Sequence, residues 1–245
     1  MQRNRLFLLL LAVMLCFAVF SCKKSSNDKT VVIGTSYFPL VKDKYVTYTV
    51  DSIYWIDTSC LQIDFTYQLQ YVIKDTFTDA QKNIQYVFYS YINSSKTNNQ
   101  WMPNDVFYAT VTDTGIVVSK DQLMFRKFGF PVSAGTTWKG NSLIDTRDVD
   151  YSYFSNWTYS YQDVGSPYFN GNFDFQNTIT VNEADQSLND IVSQPDSVAT
   201  RTLFKEIYAE NVGLVYSEAI HWTYNPNTAS CKKGYSVIMR AVDHN

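Results

Sequence analysis

The chain has 245 residues, a net charge of −3 at pH 7, and 16 % aromatic residues, including 19 tyrosines. The acidic balance and the lack of a basic cluster argue against nucleic acid as a partner. Tyr, Thr, Val, Ile and Phe suit half-buried pleated surfaces, so this composition predicts a strand-rich fold. A chain of this length can bury one sizeable core.

The N-terminus has the pattern of a secretory leader. Arg3 and Arg5 precede an uncharged apolar run from Leu6 to Phe20. This run is shorter than the ~20 residues that a helix needs to span a membrane. A short apolar run after a basic start is typical of a signal peptide, which we predict over residues 1–21.

The segment Val19-Phe20-Ser21-Cys22 resembles a bacterial lipobox, in its looser Bacteroidota form. The resemblance implies that Cys22 carries diacylglycerol and further acyl chains such as palmitate, since a single chain anchors only marginally. An ordinary cleaved signal with an incidental Cys22 is the alternative. The polar residues 22–36 read as a flexible tether. Lys23 in place of Asp favours the outer membrane, and the basic tether favours its periplasmic leaflet.

Two cysteines remain in the predicted mature domain, Cys60 and Cys231. An even pair in an oxidising compartment favours a disulfide. Two separately buried thiols are the alternative. No His or Cys lies at metal-ligand spacing near them, so we expect no metal there.

Alternation of apolar and polar residues runs through most of the mature chain. It predicts an all-β fold, with a strongly curved antiparallel sheet or a partial barrel or sandwich of about 10–12 strands and little helix. We assign residues 37–245 to this single domain. Leu123 to Phe128 fits a strand or one helical turn, and Leu188, Ile191 and Val192 offer a short helix. The predicted strands are 45–56, 61–73, 84–92, 106–112, 116–119, 150–163, 173–181, 202–209, 214–223 and 235–242.

One predicted strand carries a stripe of five aromatic side chains. If residues 150–163 form a continuous strand, alternate positions place these rings on one face. Rings offer a large contact area with little side-chain entropy lost, so the stripe is a candidate ligand-stacking surface for a sugar or an acyl chain. The alternative is that the same rings fill the core. The stripe comprises Tyr151, Tyr153, Trp157, Tyr159 and Tyr161.

Three segments together resemble a group of uncharacterised Bacteroidota outer-membrane lipoproteins. They are Phe38-Pro39-Leu40, the stretch from Phe130-Pro131-Val132 through Gly135 to Trp138, and 208–216, which reads YAENVGLVY. The resemblance implies a cell-envelope location and a curved antiparallel sheet. It implies no activity.

Candidate catalytic residues are few. His221 lies mid-strand without a nearby nucleophile elbow, which favours a packed imidazole. Asp145, Asp148 and Asp150 lack calcium-loop spacing, which favours a solvated edge. The sequence cannot place any two carboxylates together as a glycosidase requires. Four glutamates are available for such a pair: Glu183, Glu206, Glu210 and Glu218.

These observations predict a lipid-anchored, non-enzymatic binding or structural protein of the cell envelope, with no cofactor and no metal. Its expected partners are the membrane, through the N-terminal lipid, and a glycan, a lipid or another envelope protein. One alternative is a periplasmic carrier of apolar cargo, of the lipocalin or lipoprotein-carrier type. A hydrolase of envelope polysaccharide is the other. Asp51-Ser52-Ile53 and Asp196-Ser197-Val198 resemble O-glycosylation acceptors.

Overall fold

The computed structural model of the protein describes residues 34–94, 100–227 and 230–245. The predicted leader, Cys22 and most of the predicted tether lie outside these residues. Twelve strands occur in the described part: β1 (Tyr45–Ile56), β2 (Leu61–Thr78), β3 (Ile84–Asn93), β4 (Met102–Thr112), β5 (Gly115–Lys120), β6 (Leu123–Gly129), β7 (Thr137–Trp138), β8 (Tyr159–Phe169), β9 (Asp174–Leu188), β10 (Ala199–Ala209), β11 (Gly213–Tyr224) and β12 (Lys232–His244).

The strands form one antiparallel sheet in the order β6-β5-β4-β3-β2-β1-β12-β11-β10-β9-β8-β7. Consecutive strands pair within β1–β6 and within β7–β12, and β1 and β12 join these two halves, so that β6 and β7 are the edge strands. The two edges of the sheet approach each other, so the sheet is nearly closed and barrel-like. This confirms the predicted fold class.

Alternating burial explains the strand assignments. Along β1, Val46, Tyr48 and Val50 are buried and point to the inner face. On β2, Leu69 and Ile73 occupy the same face of the sheet. Because successive side chains of a strand point to opposite faces, one buried face requires this pattern.

Two short 3-10 turns complete the described part, at Thr35–Tyr37 and Val149–Phe154. The first of them corrects the predicted tether, which extended to residue 36. Tyr37 is 5 % exposed, and the backbone N–H of Asn211 donates to the carbonyl of Ser36 at 2.7 Å. Residues 34–36 therefore belong with the β-rich domain and not with a tether.

Two further sequence expectations differ from the structure. Residues 150–163 are not one strand, because the 3-10 turn ends at Phe154 and β8 begins at Tyr159. The short helix predicted around Leu188 is also absent. Its first residues belong to β9, where Leu188 pairs with Thr200 of β10. The stretch 123–128, which fitted two readings, is strand β6.

The edge strand β6 meets the other end of the sheet through specific bonds. The Arg126 N–H donates to Gly140 O at 2.8 Å, and Trp138 Nε1 donates to Arg126 O at 2.7 Å. Tyr161 of β8 bonds both backbone groups of Gly129. A Cβ at Gly129 would lie 2.8 Å from the Trp138 ring, so only glycine permits this close approach.

Candidate functional site

The inner face of the sheet surrounds a cavity of about 270 Å³. Side chains from β1 to β6 line one part of it, and side chains from β10 to β12 line another. Its volume lies near the lower end of ligand pockets, which begin at about 300 Å³. The apolar wall consists mainly of Phe38, Tyr48, Ile73, Phe88, Phe107 and Val118.

Aromatic contacts hold this wall in place. The ring of Tyr71 contacts Tyr48 and Phe107 edge to face, with centroids 5.4 and 5.0 Å apart. Phe107 in turn stacks on Phe88 at 4.7 Å. The hydroxyl of the buried Tyr48 donates to the carbonyl of Leu214 at 3.0 Å. Interlocked rings of this kind give a rigid, pre-formed apolar surface.

Lys120 brings a positive charge to this apolar cavity. Its Nζ donates to the Tyr71 hydroxyl at 3.2 Å and lies 5.4 and 5.5 Å from the ring centroids of Tyr71 and Phe107. Burial acts to lower the pKa of Lys120, but the interactions with Tyr71, Asp121 and Asp105 raise it above the ordinary lysine value. Lys120 is therefore an ammonium at neutral pH.

A second charged group consists of Lys127, Glu183 and Glu206, which we name the buried charge cluster. Lys127 Nζ of β6 bonds Glu183 Oε1 of β9 at 2.7 Å and Glu206 Oε1 of β10 at 2.9 Å. The Tyr208 hydroxyl donates to the other oxygen of Glu206 at 2.6 Å. Lys127 and Glu206 also border the cavity.

The cluster holds one ammonium and two carboxyl groups in a largely buried position, with Glu183 the most buried of the three. Burial acts to lower the pKa of Lys127, but the two carboxylates together raise it. Burial raises the pKa of Glu183 to about 7, although the Lys127 ammonium opposes this effect. One ammonium and two carboxylates leave one excess negative charge in the cluster. Glu183 is only 3 % exposed, so its charged form is the least hydrated and it is the carboxyl group that most readily takes a proton.

The predicted aromatic stripe is not one surface. Tyr151 and Tyr153 belong to the 3-10 turn, whereas Tyr159 and Tyr161 belong to β8. Trp157, Tyr159 and Tyr161 are at most 4 % exposed and belong to the main hydrophobic core. None of the five borders the 270 Å³ cavity. The prediction of a continuous stacking face is wrong because the alternation is interrupted between Phe154 and Tyr159.

Two of the stripe rings still border polar space or surface. Trp157 lines a second cavity of about 260 Å³ together with Lys139 and Asn141, and its indole N–H has no hydrogen-bond partner among the described residues. Tyr153 stacks on His221 at 4.2 Å. His221 is half-buried beneath this ring, and the burial lowers the pKa of its imidazole. His221 therefore packs against rings, and its Nδ1 shares a hydrogen bond with the Thr202 hydroxyl at 3.0 Å.

Cys60 and Cys231 form a disulfide, with Cα atoms 5.3 Å apart. Cys60 lies in the turn between β1 and β2, and Cys231 precedes β12. The bond therefore fastens two hairpin ends at the same end of the sheet.

The remaining candidate residues form no site. Asp145 pairs with Arg147 at 2.7 Å on the surface, and Asp148 accepts a bond from the Asp150 N–H. Ser52, in one glycosylation-like tripeptide, is 2 % exposed within β1. In the described ranges, no group of three or more His, Cys, Asp or Glu could hold a metal ion. No helix within those same ranges is long and apolar enough to cross a membrane.

The sequence did not single out Lys120 or Lys127. Both occupy inward positions on short strands, β5 and β6, that carry only a few residues of alternation. A charged residue at an inward strand position is the signal that could have identified them, because an unpaired buried charge is costly. Their partners lie far away in sequence, so the sequence alone could not supply them.

Comparisons with known proteins identify distant structural neighbours only. No protein-family model matches the chain, and no curated protein matches it. A Bacteroides fragilis protein provisionally described as an exported protein with a YmcC-like fold has 13 % identity and a TM-score of 0.38, covering 82 % of this chain and 96 % of its own. A Parabacteroides distasonis protein provisionally described as a lipoprotein has 11 % identity and a TM-score of 0.38, covering 85 % and 98 %.

A third neighbour, from Vibrio parahaemolyticus, is provisionally described as an outer membrane lipoprotein-sorting protein domain. It has 9 % identity and a TM-score of 0.20, covering 88 % of this chain and 91 % of its own. At these TM-scores and identities, the three similarities carry no argument about the function of this chain.

Proposed function

We propose that the protein is a non-enzymatic binding protein of the bacterial cell envelope that holds a small apolar ligand inside its sheet. The supporting observation is the 270 Å³ cavity with its interlocked aromatic wall. Ligand sites are mostly apolar and largely pre-formed, with a few placed polar groups. The cavity has these properties, with Lys120, Lys127 and Glu206 as the polar groups.

The envelope location rests on the leader and on Cys22. With a lipid on Cys22, the domain would stay at the membrane that supplies apolar molecules. The outer membrane and its periplasmic leaflet are the finer placement that Lys23 and the basic tether favour. In this location the protein would act as a lipid-anchored binding module or a carrier of apolar cargo.

The hydrolase alternative has one feature in its favour. Glu183 and Glu206 bond the same ammonium, so their carboxyl groups do converge. A glycosidase, however, needs one carboxylate to reach the sugar while the other donates a proton. Here Lys127 occupies the space between the two groups and Glu183 is inaccessible. This arrangement supports a structural role for the pair.

Filling the cavity tests the proposed function. We expect the wild-type protein to bind 1-decanol in calorimetry, and Val118→Phe to weaken this binding about tenfold or more because the added ring occupies the site. Val118 is 8 % exposed and borders the cavity. A tenfold change corresponds to about 1.4 kcal/mol of binding free energy. This is less than the ~1.5–3 kcal/mol that burial of one Phe-sized apolar group contributes, so loss of that much contact with the ligand is enough to cause it.

Val111→Phe is the matched control. Val111 lies on β4 and is 40 % exposed, away from the cavity lining. It should bind decanol like the wild type, and circular dichroism should show both variants folded. Equal binding by Val118→Phe and Val111→Phe, or no binding by the wild type, would contradict the proposed function.

A further inference from the structure

The charge of the cavity lining differs in sign from the charge of the chain. The chain has a net charge of −3. The charged residues that border the cavity are Lys44, Lys120, Lys127 and Glu206, three cations and one anion. Positive charge in a cavity with apolar walls attracts an anion strongly, because the low dielectric of the walls screens it little.

Two of these cations already have strong partners. Lys127 bonds two carboxyl groups within the buried charge cluster. Lys44 Nζ donates to the backbone oxygen of Asn245. Glu206 is likewise engaged, by Lys127 and by the Tyr208 hydroxyl. Lys127 and Glu206 therefore have little capacity left for a ligand, and burial lowers the pKa of Lys44, whereas the pKa of Lys120 is raised.

Lys120 differs from Lys127 and Glu206 in its bonding. An ammonium has three N–H donors, and the described residues provide one acceptor for Lys120, the hydroxyl of Tyr71. No ion pair joins Lys120 to a carboxylate in the described part of the chain. Asp105 and Asp121 act on Lys120 only at a distance. The rings of Tyr71 and Phe107 meanwhile hold the ammonium in position.

We propose that the cavity binds a single-chain amphiphile with a carboxylate head, which pairs with Lys120 Nζ. This inference rests on the proposed function, because it assumes that the cavity takes an apolar ligand. The chain of the amphiphile lies against Phe38, Phe88, Phe107 and Val118. At ~30 Å³ per water-sized group, the volume admits a chain of about nine carbon atoms.

Calorimetric titration at pH 8 tests this assignment, with decanoate and 1-decanol kept below their aggregation limits. The wild type should bind decanoate about tenfold or more tightly than decanol, because a charge-assisted bond to Lys120 forms only with the carboxylate. Lys120→Met should lose this preference by weakening decanoate alone. Lys120→Arg, which keeps the charge, should retain most of it.

Lys82→Met is the matched control, since Lys82 is exposed in the turn between β2 and β3. It should keep the wild-type preference. Equal affinities of the wild type for decanoate and decanol would overturn the carboxylate assignment but leave the proposed function standing. An equal loss of both ligands in Lys120→Met would do the same. Tighter binding of decyltrimethylammonium would place the head at Glu206 instead, and failure of all three ligands would overturn both proposals.

Discussion

The side chain of Lys127 is only 17 % exposed, and its two carboxyl partners explain how the buried charge is tolerated. Moving an unpaired ammonium into an apolar interior costs far more than a domain can spare. Glu183 and Glu206 offset this cost by bonds of 2.7 and 2.9 Å. Such clusters add less to stability than a well-packed apolar set, but removing one member is strongly destabilising. The cluster therefore links β6 to β9 and β10 across the inside of the sheet.

The pH dependence of stability is the first consequence at this scale. The folded-state pKa of Glu183, about 7, lies above its ordinary value of 4.5. Between these two pH values the folded protein keeps a proton that the unfolded chain has lost. The contribution of Glu183 to stability is therefore complete below about pH 4.5 and is lost as the pH rises to about 7.

Glu183→Gln should remove this dependence, because the amide is neutral at every pH. We expect the free energy of unfolding of the variant, relative to the wild type, to increase between pH 4.5 and 7.5. The increase is bounded by about 1.4 kcal/mol per unit of pKa shift. Urea unfolding at both pH values measures it, with Asp196→Asn, an exposed site, as the control. A difference that does not change with pH would show that Glu183 is ionised in the folded state.

Individual side chains were the hardest features to predict. The prediction that five rings share one strand face was wrong, since Tyr153 lies in a 3-10 turn and Tyr161 lies in β8. Sequence alternation reports which positions share a strand face. It does not report a short turn that interrupts the strand, nor which distant strand a buried lysine will meet.

At the scale of elements, the paired hairpins were predictable where alternation is long. The predicted bounds of 45–56 match β1, and 61–73 covers most of β2. Polar tips were less predictable. Residues after Glu183 look unlike a buried strand, yet they continue β9 because β10 supplies pairing partners up to Leu188. Backbone pairing, which any side chain allows, decides the ends of such strands.

The disulfide makes an element-scale prediction of its own. It links residues separated by 171 positions, and it joins the ends of the β1–β2 and β11–β12 hairpins. In the chain-entropy model, closing a loop of this length lowers the conformational entropy of the unfolded chain, which stabilises the folded state by about 5 kcal/mol. We expect Cys60→Ser/Cys231→Ser to unfold at a clearly lower denaturant concentration than the oxidised wild type.

The fold itself should survive this change, because β1 and β12 still pair from Val46↔His244 to Trp55↔Gly234. The reduced wild type is the control, and it should unfold at the same denaturant concentration as the double variant. If the fully reduced protein unfolds at the same denaturant concentration as the oxidised protein, opening the loop adds no conformational entropy to the unfolded state, which contradicts the prediction. Circular dichroism before and after reduction should show the same strand content.

At the scale of the whole sheet, neighbouring strands follow the chain order except where β1 meets β12. The antiparallel, curved character was predictable because strand alternation with one wet face requires it. Closure was not predictable, because it depends on side-chain contacts from β7 and β8 to β6, and β6 and β7 are consecutive in the chain but stand at opposite ends of the strand order. Gly129, Trp138 and Tyr161 make these contacts.

Tyr161 gives the sharpest test of closure. Its hydroxyl accepts a bond from the Gly129 N–H at 3.1 Å and donates to the Gly129 carbonyl at 3.0 Å. Tyr161→Phe keeps the ring in the core but leaves both buried backbone groups without these partners. Leaving a buried polar group unpaired costs about 1–3 kcal/mol, so the variant should be destabilised by about 1 kcal/mol or more. Amide exchange at Gly129 should accelerate, since its N–H loses its acceptor.

Tyr67→Phe provides the comparison, because Tyr67 lies on β2, within the continuous sheet and away from the edge strand β6. Its stability and its exchange at Gly129 should stay near the wild-type values. If the Tyr161 variant instead exchanges Gly129 at the wild-type rate, the edge strand β6 is held by its remaining contacts, among them those of Lys127 and Trp138 and the bond from the Arg126 N–H to Gly140 O. In that case Trp138→Phe, which removes the bond to Arg126 O, should release β6. The decanol affinity should then fall as well, because Phe125 and Lys127 of β6 form part of the cavity wall.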